Sequence, residues 1–169
     1  NNVLTDFLRT GTYDARRTFY KTTSPSMDIL ISSNLERLLY HVSGSSEKVA
    51  GWMQELSATG KYTVDAETLA KIQQSFAAGY ADDADGAAEI KARFDGDHYL
   101  CDTHTAVAFR VAETRRTDAP MVVLSTASPF KFPRDVLTAL GGEAPASDFA
   151  AMAALTAETG AEAPASLAG

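Results

Sequence analysis

A chain of 169 residues, 45% hydrophobic and 22% charged, carries enough apolar sequence for one domain with a real core and lies far from disordered composition. Its formal net charge of −7 speaks against a nucleic-acid partner, whose phosphates need clustered Lys and Arg. The single cysteine, Cys101, excludes an intramolecular disulfide and fits a reducing cytoplasm, and no apolar run approaches the roughly 20 residues of a membrane span.

Residues 3–10 read as a short helix closed by Gly11, with Val3, Leu4, Phe7 and Leu8 on one face. The β-branched and aromatic run 17–23 suggests extended chain, and the Ser/Pro turn at 24–26 leads to a helix over 35–42. Asn34 or Ser33 is the expected cap of that helix, which stops at Ser43-Gly44-Ser45-Ser46. A second helix over 47–59 places Val49, Trp52, Met53 and Leu56 at core spacing, and 61–64 is a short strand candidate. Asp65 then caps a helix to about Tyr80, with Leu69, Ile72 and Phe76 inward. Asp82 and Asp83 open the next, which carries Ala87, Ile90 and Phe94 inward to about Gly96.

Asp102 is positioned to cap a helix over 105–115, and Cys101 just before it reads as an inert core thiol. Met121-Val122-Val123-Leu124-Ser125-Thr126 is the best strand, an apolar run of the kind buried in a parallel sheet. Pro133 starts a helix that ends before Gly141-Gly142, and 148–159 forms the last, with Phe149, Met152 and Leu155 on one face. The chain thus reads as α/β: a helix-rich part of an open αβα sheet domain with few strands.

Ligands of such sheets lie beyond the carboxyl ends of the strands, which brings Ser125 and Thr126 forward as cofactor contacts. The alternative is a pair of hydroxyls satisfying local backbone. His104, in the first turn of its helix, is either a site residue or an ordinary hydrogen-bonding side chain. His41 and His98 read as surface residues. Three His and one Cys show no metal-ligand spacing, so no metal site is predicted. Asp82, Asp83 and Asp85 resemble a calcium loop only loosely, without the loop glutamate.

Four islands, in order, carry a family resemblance: Asn1-Asn2-Val3-Leu4-Thr5-Asp6-Phe7-Leu8-Arg9-Thr10-Gly11-Thr12-Tyr13; Ser24-Pro25-Ser26-Met27-Asp28-Ile29-Leu30-Ile31-Ser32-Ser33-Asn34-Leu35-Glu36-Arg37; Asp102-Thr103-His104-Thr105-Ala106-Val107-Ala108; and Leu124-Ser125-Thr126-Ala127-Ser128-Pro129-Phe130-Lys131-Phe132. The chain resembles threonine synthase, a fold type II pyridoxal-phosphate enzyme, over its C-terminal portion. The resemblance implies one domain over 1–169, part of the large cofactor-binding domain, in an enzyme that turns O-phospho-L-homoserine and water into L-threonine and phosphate. It implies that Thr126, and Ser125 second, partner the pyridine nitrogen. Ser24, Ser26, Ser33, Asn34, Arg37 and His104 are the implied substrate set, because hydroxyls, an amide and an arginine at a helix start suit a dianionic phosphate. Lys131 is a further phosphate candidate or a solvated loop residue.

The family holds its cofactor on a lysine in a Ser-Phe-Lys-Asp-like context, and Lys21, Lys48, Lys61, Lys71, Lys91 and Lys131 all lack it. The chain, which opens on Asn, is therefore expected to be an excised portion that is inactive alone. Exposed sheet edges would lead it to self-associate. The alternative function is a stand-alone, non-catalytic paralogue acting as a binding or interaction module.

Overall fold

The computed structural model describes residues 1–168. They form two compact units, one from Asn1–Lys21 with Met27–Tyr80, the other from Thr22–Ser26 with Ala81 onward. Helices dominate both, and the described residues contain one sheet, of two strands. The helix-rich, strand-poor reading of the sequence is what the fold shows.

In the first unit, α1 (Val3–Thr10) buries Val3 and Phe7 and ends where the Gly11 N–H bonds the Phe7 carbonyl at 2.7 Å. The chain turns directly into β1 (Thr12–Asp14), which pairs antiparallel with β2 (Lys61–Thr63), Tyr13 opposite Tyr62. Strand alternation turns both tyrosines inward, where their rings stack at 5.3 Å between centroids. Phe7 packs 5.8 Å from each, and Trp52 of α3 (Ser46–Thr59) lies 6.4 Å from Tyr62. Leu35 and Leu39 of α2 (Leu35–Ser43) and Ile72 of α4 (Ala66–Ser75) complete this core. Gly60 joins α3 to β2 at φ 77°, and a Cβ there would stand 2.6 Å from Arg16 Cγ. Both backbone conformation and space therefore require glycine.

Two expectations change in this unit. Asn34 does not cap α2: it is itself helical (φ −66°, ψ −21°), and its side chain makes no cap bond. The amides of Leu35, Glu36 and Arg37 instead bond the carbonyls of Ser32, Ser33 and Asn34 in tight turns. Helix α4 stops at Ser75 rather than near Tyr80, and Phe76 is exposed. The carbonyls of Gly79 and Ala78 are taken by Thr5 and Arg9 of α1, so that stretch docks on α1 instead of continuing the helix. The run 17–23, expected to be extended, is non-helical and joins no strand; within it Arg17 bonds the Asp14 carbonyl and pairs with Asp6, and the Tyr20 amide bonds Asn1.

The second unit is α5 (Asp83–Asp97), α6 (Thr103–Glu113), α7 (Pro133–Leu140), α8 (Asp148–Thr159) and the short α9 (Ala165–Ala168), which the sequence did not announce. Its core gathers Ile90, Cys101, Ala106, Phe130, Val136, Leu137 and Leu155. Arg93 of α5, mostly buried, reaches Glu89 at 2.7 Å, Asp97 at 2.9 Å and Glu113 of α6 at 3.0 Å. Its guanidinium also lies 5.0 Å from the Phe109 ring centre, so one cation ties the two helices together. Phe149 departs from its expected face and points outward, because Ala151, Met152 and Leu155 form the stripe that packs.

The expected strand at 121–126 is irregular chain with Val122 and Leu124 exposed. A parallel strand exists through the ladders on its two edges, and among the described residues no strand pairs with this one.

Candidate functional site

The densest buried polar cluster of the second unit sits at the start of α6, where residues 101–106 are all buried. Asp102, fully buried, is the helix cap. Its Oδ1 accepts the His104 and Thr105 backbone N–H groups at 2.8 and 3.3 Å and faces His104 Nδ1 at 3.1 Å. Its Oδ2 accepts the Thr105 hydroxyl. The same residue thus satisfies the orphan amides of the helix and holds the imidazole beside it.

The other ring nitrogen, Nε2, accepts the backbone N–H of Ser26 at 3.0 Å. The His104 ring lies 4.7 Å from the Phe132 ring. The neighbouring chain is moored again at Thr23, whose amide and hydroxyl both donate to Asp83 at 3.1 Å. Ser24 is buried with its hydroxyl 3.3 Å from that of Thr22, while the side chain of Ser26 is exposed. Ser24, Ser26 and His104 are therefore brought together in one unit. Ser33, Asn34 and Arg37 stand exposed at the start of α2 in the other.

Ser125 and Thr126 are exposed on irregular chain, and their hydroxyls bond no other described residue. The one-turn helix Pro129–Lys131 follows, capped by Ser128, and leads to Phe132. Beyond Phe132 an open cleft of about 370 Å³ is lined by Lys131 and Arg134 on one hand and Asp135 and Asp148 on the other. Burial raises the Asp135 carboxyl pKa against the pull of Arg134. Asp82 caps α5, Asp83 takes the Thr23 amide and hydroxyl, and Asp85 pairs with Arg110 of α6, so each of the three clustered acids has a partner within the protein. Cys101 is buried, and burial first and Asp102 second push its thiol up to about 12. Such a thiol is a poor nucleophile at neutral pH.

Sequence reasoning marked Asp102 as a cap but missed that its carboxylate also orients His104. The Asp-x-His spacing carries that signal, since an N-cap side chain and one two residues on face the same helix end. Phe132 and Asp83 were not anticipated as partners of this cluster; their approach is tertiary.

Residues 105–163 match the family model described as threonine synthase, C-terminal. A threonine synthase from Pseudomonas aeruginosa is 38% identical over 149 residues, 86% of this chain and 32% of that protein. The crystal structure of PLP-bound threonine synthase from Brucella melitensis shares 42% identity with a TM-score of 0.79, over 84% of this chain and 31% of that one. The yeast threonine synthase structure shares 30% identity with a TM-score of 0.81, over 98% of this chain and 34% of that one. The chain belongs to the threonine synthase family, matching its C-terminal portion. It spans about a fifth to a third of the length of the curated relatives it matches, 19% of one and 32% of another.

Proposed function

We propose that this chain is the portion of a cytoplasmic threonine synthase that completes the cofactor and substrate sites. The whole enzyme would convert O-phospho-L-homoserine and water to L-threonine and phosphate. Pyridoxal phosphate, when bound, supplies the electron sink for losing phosphate and adding water. The residues of this chain fit such a group in donor chemistry: Thr126 and Ser125 offer hydroxyls that bond no other described residue and can donate to an unprotonated pyridine nitrogen. A hydroxyl there, unlike a carboxylate, leaves that nitrogen uncharged.

Ser24 and Ser26 are assigned to the substrate phosphate, with His104 beside them. Ser33, Asn34 and Arg37 are separate candidates for the same task, each to be tested alone. The observation that carries the reading is the 42% identity to a PLP-bound threonine synthase across 84% of the chain.

Joined to the rest of a threonine synthase polypeptide, the chain should support threonine formation. Thr126→Ala should then lower kcat by about tenfold, the worth of one good hydrogen bond. Titrated alone with pyridoxal phosphate, the chain should let borohydride fix no pyridoxyl group on any lysine. A lysine of the isolated chain fixed in that way, or a joined polypeptide that makes no threonine, overturns the reading.

A further inference from the structure

We propose that His104 is a positioning residue: a neutral imidazole, held in its Nδ1–H form by Asp102, whose bare Nε2 fixes the 22–26 loop by accepting the Ser26 N–H.

The argument rests on donor and acceptor arithmetic. A backbone amide can only donate, so the 3.0 Å contact from Ser26 N requires a lone pair on Nε2. The ring proton of the neutral imidazole must then sit on Nδ1, where the Asp102 carboxylate waits 3.1 Å away. With the other tautomer, two N–H groups would face each other at Ser26, and a bare nitrogen would face a carboxylate oxygen at Asp102. Turning the ring over would aim carbons at both partners. The Phe132 ring, packed at 4.7 Å, fills one side of the imidazole. Asp102 has no freedom to adapt, because it is fully buried and both its oxygens are engaged.

With both nitrogens committed inside the protein and only 4% of its surface exposed, His104 has no group left for a ligand. It acts through the loop it holds. That loop carries the buried Ser24 hydroxyl and the exposed Ser26 side chain, and its second mooring at Thr23–Asp83 lies on the other side of Ser24. Fixing the backbone at both ends sets where the two hydroxyls stand. The value of that placement for a phosphate rests on the function proposed above; the tautomer and the anchoring do not.

Long-range proton–nitrogen correlation spectra of the ¹⁵N-labelled chain read the tautomer directly, with His104→Gln assigning the signal among the three histidines. The expected result is His104 fixed in the Nδ1–H form. A predominant Nε2–H form or a protonated ring at neutral pH overturns the proposal. Amide hydrogen exchange at Ser26 supplies a second readout. His104→Leu should speed it at least about tenfold, while His104→Gln, whose carbonyl reaches the Nε2 position, should restore most of the protection. His104→Asn, too short to reach, should not. Equal protection in all three variants overturns the anchoring.

In the joined polypeptide, His104→Leu should raise KM for O-phospho-L-homoserine more than it lowers kcat. If KM stays unchanged while the tautomer and the Ser26 protection hold, the positioning role stands and the phosphate role of Ser24 and Ser26 falls.

Discussion

The Tyr13 hydroxyl does two jobs at once, donating to the Leu30 carbonyl and accepting the Ser32 amide, each at 2.9 Å. Burial raises the phenol's pKa against the opposing pull of the Ser32 amide and of Arg17. The ring is fully buried on Tyr62, so the hydroxyl is held still, and it pins the segment that leads into Ser33, Asn34 and Arg37. Tyr13→Phe keeps the stack but strands a carbonyl and an amide. We expect it to cost about 1–3 kcal/mol in chemical denaturation, with an unchanged denaturant slope. A loss within about 0.5 kcal/mol would show that water replaces the hydroxyl freely. The sequence placed Tyr13 in one of the family-like islands, but the hydroxyl's partners lie 17 and 19 residues away in irregular chain. No periodicity encodes such a contact, just as none encodes the approach of Phe132 to His104.

At the scale of elements, the helix starts were the most legible features. Asp65 and Asp102 cap the helices the sequence assigned to them, and Asp82, expected with Asp83 only to open a helix, caps it as well, because a side chain a few residues from its target is a local decision. Asp65 shows the energetic consequence. The Thr68 backbone N–H first, with Lys48 adding to it, draws its carboxyl from the ordinary 3.8 down to about 2. The unfolded chain therefore takes up a proton at higher pH than the folded one. The cap's contribution is complete above pH 4, fades as the pH falls through the interval to 2, and is gone below it. Asp65→Ala should cost about 1 kcal/mol at neutral pH and progressively less toward pH 2 in acid titrations of stability. A cost that stays constant with pH would detach the effect from the carboxylate. Strands were less legible. The 121–126 run has strand composition, yet pairing is a property of two segments and the described residues offer it none. The three-residue β1 leaves no mark in the sequence, because it follows Gly11 without a gap and is too short to show alternation.

Over the whole molecule, each unit has its own apolar core, and the likeness to threonine synthase structures extends over 98% of the chain in the yeast case. The sequence islands gave the family, since they are local strings; they could not give the division into two units, which depends on which helices pack. Met121, Val122 and Leu124 are exposed within four residues of one another. An apolar, β-prone run without partners is a site of association. Light scattering at tens of micromolar should therefore find species larger than the 18.0 kDa monomer, and Val122→Lys with Leu124→Lys should return the monomer. A wild-type chain that stays monomeric would mean the run is shielded in solution. Cys101 offers something different. It is the sole cysteine of the chain, sealed in the core of the second unit, with a thiol that stays protonated while it is sealed. A thiol-reactive dye can reach it only when that core opens, so the labelling rate is a clock for the breathing of one unit, built into the native chain and needing no engineered reporter.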